Sequence, residues 1–257
     1  AKTSLNFHPT HLHSPVPRRL LSCLTFISDL VLRQIPRLAP PSLHSHTLPT
    51  QSITGIMTDI MIAQAIGTLG CSFTAGGVMA LSIMDIPNLA LPARRPPGAI
   101  IPAHEVPGTP IAHLTHQWLD VYERGKRIFP PIAIVASLAN GYLAWTLRDT
   151  PTPATSSQSW TSLYVTATVV TLGMVPWTLT AMKGTNDRLR AHATRDDKAL
   201  AEGTEGMVLS AAEKFRREKQ DDEVPGLMWK WAELNFCRSL FPLTGAVIGF
   251  CGVVWMK

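Results

Sequence analysis

Charged residues are scarce in this chain. They make up 16% of its 257 residues, against roughly a quarter in an ordinary soluble domain. Cysteine is scarce as well: Cys23, Cys71, Cys237 and Cys251 include no CxxC pair. That excludes a thiol-redox membrane enzyme, whose chemistry needs two neighbouring thiols. Three of the four lie in apolar runs, where cysteine serves as a small packing residue. No GxGxxG motif follows a strand, and no flavin or haem fingerprint is present, so nothing points to an organic cofactor. No two histidines stand at i, i+4 on a helix. His113 and His116 are spaced i, i+3, a weak metal pair, so no metal site is predicted. The net charge is +5, yet no basic patch is interleaved with aromatics, which excludes a nucleic-acid partner.

What the chain has in plenty is apolar sequence, at 46% of residues, and it is bunched. A helix needs roughly 20 apolar residues to cross a hydrocarbon layer about 30 Å thick. Four segments meet that length: Ile60 to Met84, Ile128 to Leu147, Trp160 to Met182, and Trp231 to Met256, the last cleanest after Arg238. Buried helices of a soluble bundle would keep a polar face at 3.6-residue spacing, and the first and third segments have none. The sequence therefore predicts an all-α fold: an integral membrane four-helix bundle with a long charged loop between spans three and four, its partner the lipid bilayer. Ser72, Gly76 and Ala80 in the first span, and Gly245 and Gly249 in the fourth, form small-residue stripes expected to pack the bundle internally.

Residues 1–56 differ from the four-span domain of 57–257. They hold five Lys and Arg but one acid, Asp29, with five histidines and many Pro and Ser. The apolar run from Leu20 to Leu32 is too short to span. Three readings stand open: an organelle-targeting segment, a signal peptide, or a mis-annotated start with Met57 the initiator. Seven prolines from Pro87 to Pro110 make the first connection irregular, and a short helix follows from His113 to Arg127. The connection Arg148 to Ser159 is short. The third, Lys183 to Lys230, is long and charged, with a surface helix expected from Arg195 to Lys219, broken near Gly203 and Gly206. Lys and Arg crowd the first and third connections, while the opposite side has only Arg148 and Lys257. The positive-inside rule places the crowded side in the cytoplasm. The expected location is the endoplasmic reticulum or another endomembrane, or the mitochondrion if the leader is a targeting segment.

That same face collects the chain's most unusual polar residues. His116, Trp118 and Tyr122 precede the second span; Thr185, Asn186 and Arg188 follow the third; Trp231, Asn235 and Arg238 open the fourth. Asn235 and Arg238 share a helix face, with Trp231 one turn above. An Arg and an Asn this near the bilayer are costly unless paired, by Asp187 or Glu233 for instance, or unless they face the bundle interior. Asn140, deep in the second span, is expected to bond to a neighbouring helix.

Three strings on this face resemble a known family. Pro176-Trp177-Thr178 followed by Thr185-Asn186-Asp187-Arg188, then Trp231 through Leu234-Asn235 to Arg238, and His116-Gln117-Trp118 with Tyr122 and Gly125, together resemble the anthrone oxygenase-like membrane family, over about Ile60 to Trp255. The resemblance implies an enzyme of fungal aromatic polyketide pathways, a monooxygenase that converts an anthrone to an anthraquinone with dioxygen and no organic cofactor. Such a reaction needs a base, a donor to the enolate oxygen and an apolar pocket. His116 is the natural base by its ordinary acidity. Arg238 and Asn235 would stabilise the enolate as an oxyanion hole does, with Asn186 completing the catalytic set. Trp118, Tyr122 and Trp231 would stack on a flat tricycle, with Thr185 and Arg188 beside them. The competing reading is a non-catalytic four-helix scaffold docking through the charged third connection. An enzyme needs these side chains to converge on one cavity; a scaffold needs only paired polar groups.

Overall fold

The computed structural model describes residues 53–90, 111–151, 159–201 and 210–255. Most of the 1–56 extension, with Cys23, lies outside them, and so do most of the prolines of the first connection. Every regular element in the described residues is helical. Helix α1, Ile53–Ala80, begins inside the stretch read as a leader and continues through a π-helical turn, Leu81–Asp85, into α2, Ile86–Ala90. Helix α3 covers Ile111–Thr146, α4 Trp160–Leu172 and α5 Met174–Thr180. Helices α6, Lys183–Ala201, and α7, Ala211–Asp221, lead into α8, Val224–Trp255.

Local chemistry explains most of these boundaries. Ser159 caps α4 by accepting from the Ser162 amide at 3.2 Å, and Ser210 with Glu213 forms a full capping box on α7. The third span pauses at Gly173, where a side chain would meet the Val170 carbonyl at 2.9 Å and the Phe241 ring at 3.0 Å. Pro176 then sits in the first turn of α5, where the missing amide costs least.

Two expectations about elements change. The short helix before the second span and the span itself are one helix, α3, which runs through Pro130 and Pro131. The carbonyls those prolines leave unserved belong to Lys126 and Arg127, both exposed, where a polar surround can serve them. The long charged loop is also mostly helix. Lys183 to Ala201 and Ala211 to Asp221 are helical, and α8 starts at Val224, seven residues before Trp231. Alanine, arginine, lysine and glutamate favour a helix enough to carry it past the end of the apolar run.

Four helices are long and apolar enough to cross a membrane, and the fold is compatible with an integral membrane protein. They pack as a ring: α1 on α3 and α8, and α4 on α3 and α8. Burial is inverted relative to a soluble bundle. Leu69, Phe73, Leu138, Trp145, Val169 and Phe250 are exposed, whereas Gln64, Thr74, Asn140 and Thr171 are buried. Inside, Gln64 donates to the Tyr164 hydroxyl at 3.0 Å. Gly245 lets α8 approach α4: a Cβ there would stand 2.1 Å from Thr171 Oγ1. Gly249 packs inward too, against Thr68 at 3.1 Å. The stripe of Ser72 and Gly76 does not; both are exposed, and nothing lies within 4 Å of a Cβ at Gly76. The packing face of α1 is instead that of Gly67, Gly70 and Gly77, against Asn140, Ala136 and Phe129.

Candidate active site

A core of large side chains joins the helices at the end where α2, α6 and the start of α8 gather. It contains Trp118, Leu189, Val224, Met228 and Trp231. Trp118 and Tyr122, one turn apart on α3, stack with centroids 5.2 Å apart and planes at 17°. Trp231 from α8 meets Trp118 edge-on at 6.0 Å. The Trp231 indole N–H donates to Asn186 Oδ1 at 2.9 Å, so α6 fixes the ring. One turn along α8, Asn235 Nδ2 donates to the Val78 carbonyl and to Ser82 Oγ, each at 3.0 Å, clasping the end of α1.

Arg238 comes next on the same face. Its guanidinium reaches Thr178 Oγ1 on α5 at 3.5 Å, and Thr178 is itself committed as a donor to the Met174 carbonyl at 2.7 Å. The buried Nε has no partner. The two carboxylates expected from sequence as its partners are engaged or turned away: Asp187 pairs with Lys183 at 3.3 Å, and Glu233 is exposed. Among the described residues no carboxylate pairs with Arg238.

This half-buried, uncompensated cation borders a cleft of about 180 Å³. The cleft is lined by Leu81, Val121, Tyr122, Gly125, Lys126, Pro130, Met174, Val175, Thr178, Leu179, Trp231 and Arg238, so the π turn, α3, α5 and α8 all contribute. Val175 and Leu179 are exposed on its outer side. Of the residues singled out from sequence, Tyr122, Trp231 and Arg238 line it. Trp118, Asn186 and Asn235 stand behind that wall as its support. Thr185 is buried on α6, and Arg188 is tied to Glu223.

His116 is not among the lining residues. Its side chain is 40% exposed, with Nε2 2.7 Å from Asp197 Oδ1 on α6 and Nδ1 2.5 Å from the Ala112 carbonyl. Both ring nitrogens are thus engaged by groups outside the cleft lining. His113 is exposed. Among the described residues, no three His, Cys, Asp or Glu side chains are grouped to hold a metal. Sequence reasoning missed Leu81, Gly125, Met174, Val175 and Leu179 as lining residues, and missed Thr178 as the group that steadies Arg238. Gly125 and Thr178 do lie in the strings quoted above, which was the available signal.

Fold and cleft together define a helical bundle of membrane type with a cationic, aromatic-walled, otherwise apolar site. The sequence profile described as Anthrone oxygenase matches residues 118–248. The chain is 31% identical over 196 residues to a noranthrone monooxygenase of Aspergillus flavus, covering 76% of this chain and 75% of that protein. It is 30% identical to the anthrone oxygenase AgnL2 of Paecilomyces divaricatus, over 75% of this chain and 96% of the relative. It is 33% identical to the anthrone oxygenase ptaC of Pestalotiopsis fici, over 65% and 96% respectively. No solved structure matches. The chain belongs to the anthrone oxygenase family, and it is an oxygenase.

Proposed function

We propose that this protein oxidises an anthrone-type aromatic polyketide to the anthraquinone with dioxygen, in the cleft bordered by Arg238, without an organic cofactor or a metal. The overall conversion adds one oxygen atom to the central ring carbon and releases the other as water. The observation that carries the reading is Arg238: a guanidinium with no carboxylate partner among the described residues, set in an apolar cleft between aromatic side chains.

An anthrone has acidic hydrogens on the ring carbon opposite its ketone. Removing one gives an aromatic enolate, negatively charged on oxygen and able to pass an electron to dioxygen. A fixed cation in a water-poor cleft stabilises that charge as it develops. The aromatic side chains of Tyr122 and Trp231 in its wall suit apolar contact with a tricyclic ring. Val175 and Leu179 continue the apolar outer surface into the cleft, which suits a lipophilic substrate held in the membrane. In this reading Asn186 and Asn235 hold the wall, and the cleft lies on the cytoplasmic side of an endomembrane, where the positive-inside rule places it.

The test is dioxygen uptake by the purified protein with a panel of anthrones. The expected result is one dioxygen consumed per quinone formed, well above the rate without protein. A rate equal to the protein-free rate for every anthrone tried would overturn the reading.

A further inference from the structure

Among the described residues, the buried glycines are Gly67, Gly125, Gly245, Gly249 and Gly252. Close packing accounts for all but one of them. A Cβ would stand 2.6 Å from Asn140 Oδ1 at Gly67 and 2.1 Å from Thr171 Oγ1 at Gly245. It would stand 3.1 Å from Thr68 Oγ1 at Gly249 and 2.5 Å from the Tyr164 hydroxyl at Gly252. Gly125 differs. Of the described atoms, those nearest to a Cβ there are Phe129 Cε2 at 3.5 Å and Leu81 Cδ1 at 3.6 Å, which is ordinary van der Waals contact. Gly125 also lies inside α3, in a backbone conformation that other residues adopt freely. Glycine is a poorer helix former than alanine, because it loses more chain freedom on folding. Neither the packing of the described residues nor the backbone calls for it. What Gly125 does border is the cleft. It stands one turn after Tyr122 on α3, with Leu81 beside it from the π turn and Arg238 lining the same space from α8. A methyl at 125 would lie against Leu81 and take up room in a cleft of about 180 Å³.

We infer that Gly125 sets the size of ring system this site accepts: its missing side chain leaves bare α3 backbone as the surface on which the edge of a flat substrate rests. The inference rests on the anthrone reading above and narrows its substrate class to planar polycycles that fill the cleft as far as α3. Gly125 is then a specificity-determining residue, acting through the room it leaves. An anthrone carrying alkyl groups on its rings needs more of that room than the unsubstituted one. An added carbon at 125 therefore weakens binding, and weakens it more for the larger substrate. Arg238 works differently. It meets charge that develops during the reaction, so its loss lowers kcat. Filling the space at Gly125 disfavours the bound ground state and the transition state alike, so it raises KM.

The experiment compares Gly125→Ala with the wild type, using the full chain in detergent. Three quantities are measured. They are the melting temperature, dioxygen uptake with unsubstituted and with dimethyl-substituted anthrone, and affinity for anthraquinone read from quenching of tryptophan fluorescence. The melting temperature should stay level or rise, because alanine fits and favours the helix. For the dimethyl anthrone kcat/KM should fall about tenfold or more, the scale of one carbon too many in an apolar pocket. That loss should be carried by KM, be smaller for unsubstituted anthrone, and be matched by weaker anthraquinone binding. A fall in melting temperature would show that packing holds the glycine, and it overturns the inference. So does kcat/KM within about threefold of wild type for both anthrones, an equal loss for the two, or a loss carried by kcat with anthraquinone affinity unchanged. Each of these leaves the anthrone reading intact. Uptake by the wild type no faster than the protein-free rate, with either anthrone, overturns that reading and this inference together.

Discussion

Asn186 and His116 lie on the same face of the bundle but in opposite environments. Asn186 is buried and accepts from the Trp231 indole. Replacing it with Leu strands a buried N–H, which costs about 1–3 kcal/mol. The melting temperature in detergent should fall, and KM should rise as the Trp231 wall loosens. An unchanged melting temperature would show that the bond contributes nothing. His116 is partly exposed and engaged with Asp197 and Ala112. His116→Ala should leave dioxygen uptake within about twofold, as for an ordinary surface substitution. A hundredfold loss, recovered at high pH, would place its ring against the substrate. Sequence could single out Arg238, Tyr122 and Trp231, because a cation and large aromatics at the mouth of an apolar run stand out. It could not separate lining residues from supporting ones. Asn186, Asn235 and Trp118 carry the same polar and aromatic signal as the lining set; which helix they face depends on the rotation of α6, α8 and α3, and no local pattern encodes that. The apolar lining residues, such as Leu81 and Met174, are indistinguishable in sequence from any span residue.

Among the elements, the four spans were readable because length and absence of charge suffice to define them. The two boundaries that shifted did so for local reasons. The α3 helix runs through paired prolines just past the exposed residues Lys126 and Arg127, and the charged third connection has the composition of a helix former. Glycine stripes were harder, since the pattern fixes a face but not what it meets. Gly245 and Gly76 make the contrast measurable. Gly245→Ala puts a methyl 2.1 Å from Thr171 Oγ1 and 3.2 Å from the Ala167 carbonyl, so α4 and α8 must part. That overpacking should cost about 1–3 kcal/mol. Gly76→Ala meets nothing and should be neutral or slightly stabilising, because alanine is the better helix former by about 1 kcal/mol. Thermal unfolding of the two variants side by side checks the packing faces; equal effects would contradict them.

For the whole molecule, the ring of α1, α3, α4 and α8 turns apolar side chains outward and polar ones inward, and it gathers the cleft, α6 and α7 at one end. If that end is cytoplasmic, cysteines placed at Asp149 and at Glu218, both exposed on opposite ends, should react with a membrane-impermeant thiol reagent from opposite sides of sealed vesicles. Labelling of both from one side would refute the orientation. The Lys and Arg asymmetry sets the expected direction of the bundle, which the labelling tests, whereas the neighbour order of the helices was not legible, since four spans can pack in more than one ring. The central claim is that the cleft beside Arg238 is where the reaction runs, and the most direct measurement is dioxygen uptake by Arg238→Ala with an anthrone the wild type oxidises, alongside its melting temperature. Loss of a donor to a developing oxyanion costs about a hundredfold or more in rate, and an arginine without a carboxylate partner leaves no orphaned charge behind when removed. The account predicts that scale of loss with the melting temperature nearly unchanged; full uptake by Arg238→Ala, or a loss matched by collapse of the fold, would contradict it.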